Sequence, residues 1–146
     1  MTTPSSRADI DAGAPAERLL VTPYTDIAER ESRGALRVRQ VFHESTAGFE
    51  SSLSFVLWNR IPAGGANELH VHEDIEKVYY FLKGEGEVAC GPWTRPVREG
   101  DFLFFPAAIP HLVRNLGSED LQFIVCAAHT LGKPRGLAEV DKAAAP

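Results

Sequence analysis

Two histidines that stand one residue apart, His70 and His72, are the residues of this sequence best suited to chemistry. On a β-strand, the side chains of residues i and i+2 point to the same face, so both imidazoles would enter one space. Neutral imidazole is the commonest protein ligand for zinc, copper, iron and nickel. Three acidic residues, Glu73, Asp74 and Glu76, follow at once along the chain. The pattern therefore predicts a metal site.

A third histidine, His111, follows a turn that is bounded by Pro106 and Pro110. Because proline fixes φ, such a turn sets where the next strand begins. A fixed start of this strand would let His111 come close to two histidines from a distant strand, as a third metal ligand must. The remaining histidines, His43 in a polar turn and His129 at the end of the last apolar run, are interpreted as surface residues.

The elements that must position these histidines read as strands. Apolar, aromatic and β-branched residues dominate seven short runs, and turns rich in glycine and proline separate the runs. The runs are residues 36–42, 53–61, 77–82, 87–90, 101–105, 111–115 and 121–127. Residues 22–33 alone could carry a helix, and their pattern is weak. Short strands at about ten-residue spacing are typical of an all-β sandwich or barrel.

The chain has 146 residues, which is the size of one domain. Residues 1–17 and 139–146 are polar or alanine-rich and lack periodicity, so we predict a disordered tail at each end of a barrel that spans residues 18–138. Cys90 and Cys126 lie in separate apolar runs and form no C-x-x-C motif, so they are interpreted as reduced core thiols.

Charge and hydropathy exclude two classes of partner. The net charge is −5, and no basic run with interleaved aromatic residues occurs, so nucleic-acid binding is not expected. No apolar stretch approaches the roughly 18 residues of a membrane span. Residues 1–10 lack the apolar core of a signal peptide, which predicts a cytoplasmic protein. The expected partner is a small-molecule substrate.

The spacing around the histidines resembles the two signature motifs of the cupin superfamily, the small double-stranded β-helix or jelly-roll barrels. The landmarks of the first motif are Gly64, His70, His72 and Gly84. Those of the second are Gly100, Pro106, His111 and Asn115. One position departs from the second motif, because Ala108 stands where the pattern has glycine.

This resemblance implies an all-β cupin barrel with a short N-terminal extension. It further implies that His70, His72 and His111 bind one divalent metal ion per chain inside the barrel, with iron, manganese, zinc and nickel all open. Single-domain cupins commonly pair, so the resemblance also implies a homodimer, in which residues 19–43 could supply an exchanged strand.

The fourth metal ligand is where the sequence departs from the resemblance. The family's carboxylate ligand usually sits seven residues before the closing glycine, and that position holds Lys77, with Glu76 one residue earlier. Three arrangements are open. In the first, a bulge or a flexible turn at residues 74–76 lets Glu76 reach the metal. In the second, Glu76 points away and three histidines bind the metal with water. In the third, the Lys77 ammonium enters the pocket. In the third arrangement Lys77 weakens metal binding, or serves as an anion partner or as a base with a lowered pKa.

These arrangements imply different chemistry. A carboxylate lowers the charge of the site and favours oxygen chemistry of iron or manganese. Three neutral histidines leave a stronger Lewis acid, suited to polarising a carbonyl or activating water. Because an ammonium beside a divalent cation is costly, we expect the stem of Lys77 to swing clear unless an anionic substrate draws it in. Glu76 and Lys77 are the candidate catalytic residues.

Strand alternation also predicts the pocket. If Lys77 faces the barrel interior, Tyr79 and Phe81 face it too and form the pocket wall. Asn59 and Arg60 are adjacent on an apolar strand, so one is expected to face inward and the other outward. Arg60 is interpreted as a surface charge, and Asn115 as a residue that shapes the turn before Gly117.

We therefore predict a metal-dependent enzyme that acts on a small organic molecule with oxygens able to chelate the metal. Its chemistry is either that of a dioxygenase-type oxidoreductase or that of a redox-neutral isomerase, cyclase or lyase. The alternative is a non-catalytic module that binds a small ligand.

Overall fold

The computed structural model describes residues 19–130, and the two predicted tails, residues 1–17 and 139–146, lie outside them. A short 3-10 turn, Tyr24–Asp26, precedes nine β-strands. In chain order the strands are β1 (Arg30–Ser32), β2 (Leu36–His43), β3 (Leu53–Ile61), β4 (Ile75–Lys83), β5 (Glu85–Cys90), β6 (Trp93–Arg98), β7 (Phe102–Phe105), β8 (His111–Asn115) and β9 (Leu121–His129). Between residues 19 and 130, no helix is long and apolar enough to cross a bilayer.

The strands form two antiparallel sheets. The larger sheet has six strands in the order β1-β2-β3-β9-β4-β7, and the smaller has three in the order β6-β5-β8. Strands distant in the chain therefore become neighbours, as in the pairing of β4 with β9. The predicted all-β jelly-roll barrel is confirmed.

Alternating burial shows which face of each strand meets the core. On β4 the side chains of Lys77, Tyr79 and Phe81 are buried, whereas those between them are exposed or half-buried. Strand β9 buries every second residue from Leu121 to Ala127 in the same way. The buried faces of the two sheets meet in a core of aliphatic and aromatic side chains, among them Phe81, Phe105 and Phe123. This core holds β4 in one register.

The N-terminal segment contains no α-helix within its described part, where the sequence offered a weak one over residues 22–33. The segment instead lies against the larger sheet. The ring of Tyr24 stacks on that of Trp58 with 4.5 Å between centroids, and Arg39 donates a 2.6 Å hydrogen bond to the carbonyl of Ile27. Strand β2 pairs with β3 of the same chain.

Candidate metal centre

Backbone pairing brings His70 and His111 together from two segments that are far apart in the chain. The amide of His70 donates to the carbonyl of His111 at 3.2 Å, and the amide of His111 donates to the carbonyl of His70 at 2.9 Å. The turn before β8 docks on the same segment, since the amide of Ala108 donates to the carbonyl of His72 at 2.7 Å. The three histidine backbones are thus cross-linked by main-chain hydrogen bonds.

The three imidazoles converge at one point. One ring nitrogen of each histidine lies within 4.8 Å of those of the other two. The ring centroids of His70 and His111 are 4.4 Å apart, and those of His70 and His72 are 5.0 Å apart. Among the described residues, these three histidines form the one group of potential ligands that meets at such distances.

Hydrogen bonds to backbone carbonyls fix the tautomer of two of the rings. His70 Nδ1 lies 2.7 Å from the carbonyl oxygen of Glu68, and His111 Nδ1 lies 2.9 Å from that of Ile109. A carbonyl oxygen only accepts, so each Nδ1 must carry the proton. The Nε2 atom of each ring then presents its lone pair to the site. Such carbonyl-held imidazoles are typical of metal-binding histidines.

All three histidines are held in the neutral form. Burial lowers the pKa of His70 to about 4, and the hydrogen bond to the Glu68 carbonyl opposes this shift only in part. Burial and then the nearby Lys77 ammonium lower the pKa of His72 to about 4 and that of His111 to about 2. At neutral pH the imidazoles are therefore unprotonated at one nitrogen, which is the form that binds metal.

The residues fit a divalent metal ion after a small contraction. A metal–nitrogen bond of about 2.1 Å allows two ligand nitrogens on one ion to be at most about 4.2 Å apart. The present separations extend to 4.8 Å, so the widest must shrink by at least about 0.6 Å, and by about 1.4 Å for a tetrahedral site. The imidazole of His72 makes no hydrogen bond within the described residues, so its rotation can contribute to this contraction.

The structure does not bring Glu76 to the three histidines. Glu76 lies on β4 one residue before the buried Lys77, on the alternate face of the strand, and it is no member of the ligand group. Since β4 pairs with β9 without a register shift from Ile75 to Phe81, no bulge turns Glu76 inward. Of the three arrangements, the one with a Glu76 ligand is not the one the structure has.

Lys77 takes the place next to the histidines instead. Its side chain is 4% exposed, and its Nζ lies 2.8 Å from His111 Nε2. The rings of Tyr79 and Phe105 flank the ammonium at 5.7 and 5.9 Å. Burial, and then the charge of Arg33, lower the pKa of Lys77 to about 7. The arrangement with Lys77 in the pocket is therefore the one that the structure has, and the expectation that its stem swings clear of a bound metal stays a prediction.

A cavity of about 370 Å³ opens beside this group. Its wall includes His70, His72 and Lys77, but none of the described residues that line it is acidic. Two further cations, Arg30 and Arg33, lie at the cavity, so its wall is positively charged although the chain carries a net charge of −5. Such a wall favours an anionic ligand.

The polar groups of the wall include one without a partner. Asn59 is 2% exposed, and its Oδ1 has no hydrogen-bond partner within the described structure. An unsatisfied buried acceptor of this kind is costly unless a ligand or water meets it. Of the two predicted wall residues, Tyr79 lines the cavity, whereas Phe81 is fully buried in the core and is not among the lining residues.

The remaining predictions concern single residues of the turns and strands. Asn115 shapes its turn as expected: its Oδ1 accepts from the amide of Gly117, and its Nδ2 donates to the carbonyls of Ile61 and Glu119. Asn59 faces inward and Arg60 outward, where Arg60 binds Glu29 and Asp120. Both cysteines are free thiols.

Two outcomes were not expected. His43 lines the cavity rather than lying only at the surface. Arg33 was missed as a residue of the site, and it has a φ of 40° that non-glycine residues rarely adopt. No pattern in the sequence marks Arg33, since its place at the cavity depends on how the N-terminal segment packs.

Comparison with known proteins agrees with this architecture. Residues 57–127 match the family described as a cupin domain. A Thermotoga maritima structure described as a predicted oxalate decarboxylase superposes with a TM-score of 0.68 at 22% identity, over 76% of this chain and 100% of that one. Residues 57–127 belong to the cupin superfamily. The three histidines that the two cupin-like motifs marked as ligands are the ones that the structure brings together.

Other cupins resemble the chain to different extents. An uncharacterized protein of Methanocaldococcus jannaschii is 26% identical over 75% of this chain and 86% of its own length. A Thermotoga maritima protein named oxalate-binding protein is 34% identical over 44% of this chain and 54% of its own length. The polyketide cyclase RemF of Streptomyces resistomycificus superposes with a TM-score of 0.63 at 19% identity, over 85% of this cupin and 90% of RemF. These functions differ, so the fold alone does not choose among them.

Proposed function

We propose that this cupin is a metal-dependent enzyme that acts, without net oxidation, on a small carboxylate-bearing molecule whose oxygens chelate the metal. One observation carries the proposal. Three neutral histidine nitrogens converge at the wall of a cavity that also presents Lys77, Arg30 and Arg33 and whose described lining contains no acidic side chain.

The residues that would hold the metal are His70, His72 and His111. The ligand group contains no carboxylate, so none of its members neutralises the charge of a divalent ion. The bound ion would act as a Lewis acid that polarises a carbonyl or carboxylate oxygen of the substrate. This donor set favours isomerase, cyclase or lyase chemistry over the dioxygenase alternative, which a carboxylate ligand would support.

The substrate class follows from charge and size. A cavity of about 370 Å³ suits a small organic molecule. Lys77 and the two arginines attract and orient an anionic group, and the unpartnered Oδ1 of Asn59 accepts a hydrogen bond from a hydroxyl of the ligand. The aliphatic side chains of Leu36, Val38 and Leu57 contact its carbon skeleton. The relatives named for oxalate support a carboxylate as the recognised group.

A second candidate function is binding without turnover. The relative that supports it is the Thermotoga maritima protein named oxalate-binding protein, which matches 44% of this chain. In that case the same cavity and the same histidines would hold the ligand, and the reaction would be absent.

The experiment begins with zinc-loaded protein. Calorimetric titration with oxalate and malonate measures binding, with acetate as the single-carboxylate control. We expect the dicarboxylates to bind at least about tenfold more tightly than acetate, because they chelate the metal and also meet the cations. NMR of a panel of small keto and hydroxy acids then detects turnover, and an oxygen electrode monitors oxygen uptake with the iron-loaded protein.

The outcomes separate the candidates. Conversion of a carboxylic acid without oxygen uptake supports the proposal. Binding with no conversion in the panel supports the binding module, and conversion that consumes oxygen supports a dioxygenase. Equal, weak binding of all three anions would overturn the carboxylate substrate class.

The subunit arrangement and the location are also proposals. Resemblance to single-domain cupins supports a homodimer, and light scattering at micromolar concentration tests it, since a mass of about 16.0 kDa would contradict it. A cytoplasmic location is proposed as well, and fractionation of cells tests it.

A further inference from the structure

The hydrogen bond between Lys77 and His111 occupies the atom that a metal would bind. The Nδ1 of His111 carries a proton because it faces the carbonyl of Ile109 at 2.9 Å. The Nε2 therefore has one lone pair in the plane of the ring. The Lys77 Nζ lies 2.8 Å from this atom and donates to it.

The single lone pair of His111 Nε2 can bind only one partner at a time. The N–H of Lys77 and a metal ion cannot both occupy the Nε2 of His111, so Lys77 must leave that nitrogen before a metal ion can bind it. The departure of Lys77 also relieves electrostatic repulsion, because an ammonium and a divalent cation a few ångströms apart repel each other strongly in a buried site. The present position of Lys77 therefore opposes metal binding.

The displaced ammonium needs a new partner. Lys77 is buried between the rings of Tyr79 and Phe105, which provide only weak cation–π contacts. None of the described residues that line the cavity is acidic, so the wall provides no carboxylate for it. The wall does contain the unpartnered Oδ1 of Asn59, but that acceptor is neutral. An anionic group of a ligand in the cavity is the partner that would also balance the charge of Lys77.

We propose that Lys77 couples metal binding to anion binding: it occupies His111 Nε2 in the metal-free site and transfers its hydrogen bond to an anionic ligand when the metal binds. This inference rests on the proposed function, because it takes the three histidines as metal ligands. Linkage requires the coupling to be reciprocal, so an anion that holds Lys77 must raise the affinity for metal.

The test measures zinc affinity at constant pH by competition with a chromophoric chelator, with and without malonate. It compares the wild type with Lys77→Met, which keeps the length of the side chain and removes the donor. Lys77→Leu is a second variant of apolar character, in case methionine disturbs folding, and circular dichroism checks both. Arg33→Gln is the matched control, because it removes a cavity cation that makes no hydrogen bond to a histidine.

Without malonate, we expect Lys77→Met to bind zinc about tenfold or more tightly than the wild type, since a charge-assisted hydrogen bond no longer competes. Arg33→Gln should change the affinity by less than about threefold, because its charge acts at longer range. Malonate should raise the zinc affinity of the wild type by a larger factor than that of Lys77→Met. Malonate chelates zinc in the assays of both proteins, so the difference between the two factors measures the contribution of Lys77.

Two results would overturn the inference while leaving the proposed function intact. One is equal zinc affinity in the wild type and Lys77→Met. The other is an increase in Arg33→Gln as large as that in Lys77→Met, which would show a general charge effect. If no form of the protein binds zinc, the proposed function itself fails, and the inference falls with it.

Discussion

His70 and His111 are joined by a reciprocal pair of backbone hydrogen bonds, 3.2 and 2.9 Å long, although they belong to segments that are far apart in the chain. The pair forms an isolated antiparallel bridge outside the regular ladders. Because main-chain atoms make these bonds, they hold the two backbones together whatever side chains the residues carry. Replacing a histidine should therefore remove a ligand and leave the surrounding fold in place.

The turn before β8 contains a residue in an unfavourable conformation. Ala108 has a φ of 63°, in the left-handed region that glycine adopts without steric cost. Ala108→Gly should raise the free energy of unfolding by about 0.5–1 kcal/mol, because relief of the strain exceeds the entropy lost by glycine. Urea denaturation measures the change.

The neighbouring alanine is the control. Ala107 is fully buried and does not have a positive φ. Ala107→Gly should lower the free energy of unfolding by about 1 kcal/mol, through loss of a buried methyl group and a more flexible unfolded chain. Stabilisation of both variants, or of neither, would contradict the account of Ala108.

A bidentate ion pair fastens the N-terminal segment to β3. Arg60 donates to both carboxylate oxygens of Glu29, at 2.6 and 2.8 Å, and this hydrogen bonding lowers the pKa of Glu29. A lowered carboxylate pKa gives stability that is present above the ordinary value and is lost as the pH falls through the lowered one. Glu29→Gln should therefore lower the free energy of unfolding by about 1 kcal/mol at pH 7, and the deficit should shrink below about pH 4.

Glu31 provides the comparison for this prediction. It contacts Arg37 at 3.2 Å, but its side chain is 78% exposed. Glu31→Gln should change stability by less than about 0.5 kcal/mol at any pH. Chemical denaturation at a series of pH values measures both variants, and an equal, pH-independent effect of the two would refute the assignment.

The last strand ends in a histidine between two carboxylates. His129 Nε2 lies 2.8 Å from Glu44, and its Nδ1 lies 3.4 Å from Asp74. The hydrogen bond to Glu44 raises the pKa of His129. The stability from this raised pKa is present in full below the ordinary value and is lost as the pH rises through the raised one. NMR titration should show the raised pKa, and Glu44→Gln should lower it more than Asp74→Asn does. An unchanged value in Glu44→Gln would contradict the contact.

The features that could be predicted from the sequence are those that depend on residues close together in the chain. Alternation along β4 depends only on the strand, so the inward direction of Lys77 and Tyr79 followed from the position of Gly84. The histidine spacing and the turn at Pro106 and Pro110 similarly indicated the metal centre. Strand β6 was missed because Pro96 and three polar residues obscure its pattern.

The parts that sequence reasoning missed depend on long-range packing. Arg33 reaches the cavity because the segment before β2 folds over the larger sheet, and no local pattern encodes that path. Lys77 lies by His111 because burial removes water as a competing partner, and no local pattern in the sequence indicates this contact between β4 and β8. Phe81 belongs to the core rather than to the cavity wall because the core extends further along β4 than the cavity does.

The most direct test of the central claim is the metal content of the purified protein and its histidine variants. Protein prepared without chelator and without a histidine-rich tag is analysed for metal per chain, before and after reconstitution with zinc. We predict about one ion per chain in the wild type, in His43→Ala and in His129→Ala, and a loss of retained metal in His70→Ala and His111→Ala with the fold preserved. Full metal occupancy in His70→Ala and His111→Ala, or no metal in the reconstituted wild type, would contradict the assignment of His70, His72 and His111 as the metal centre.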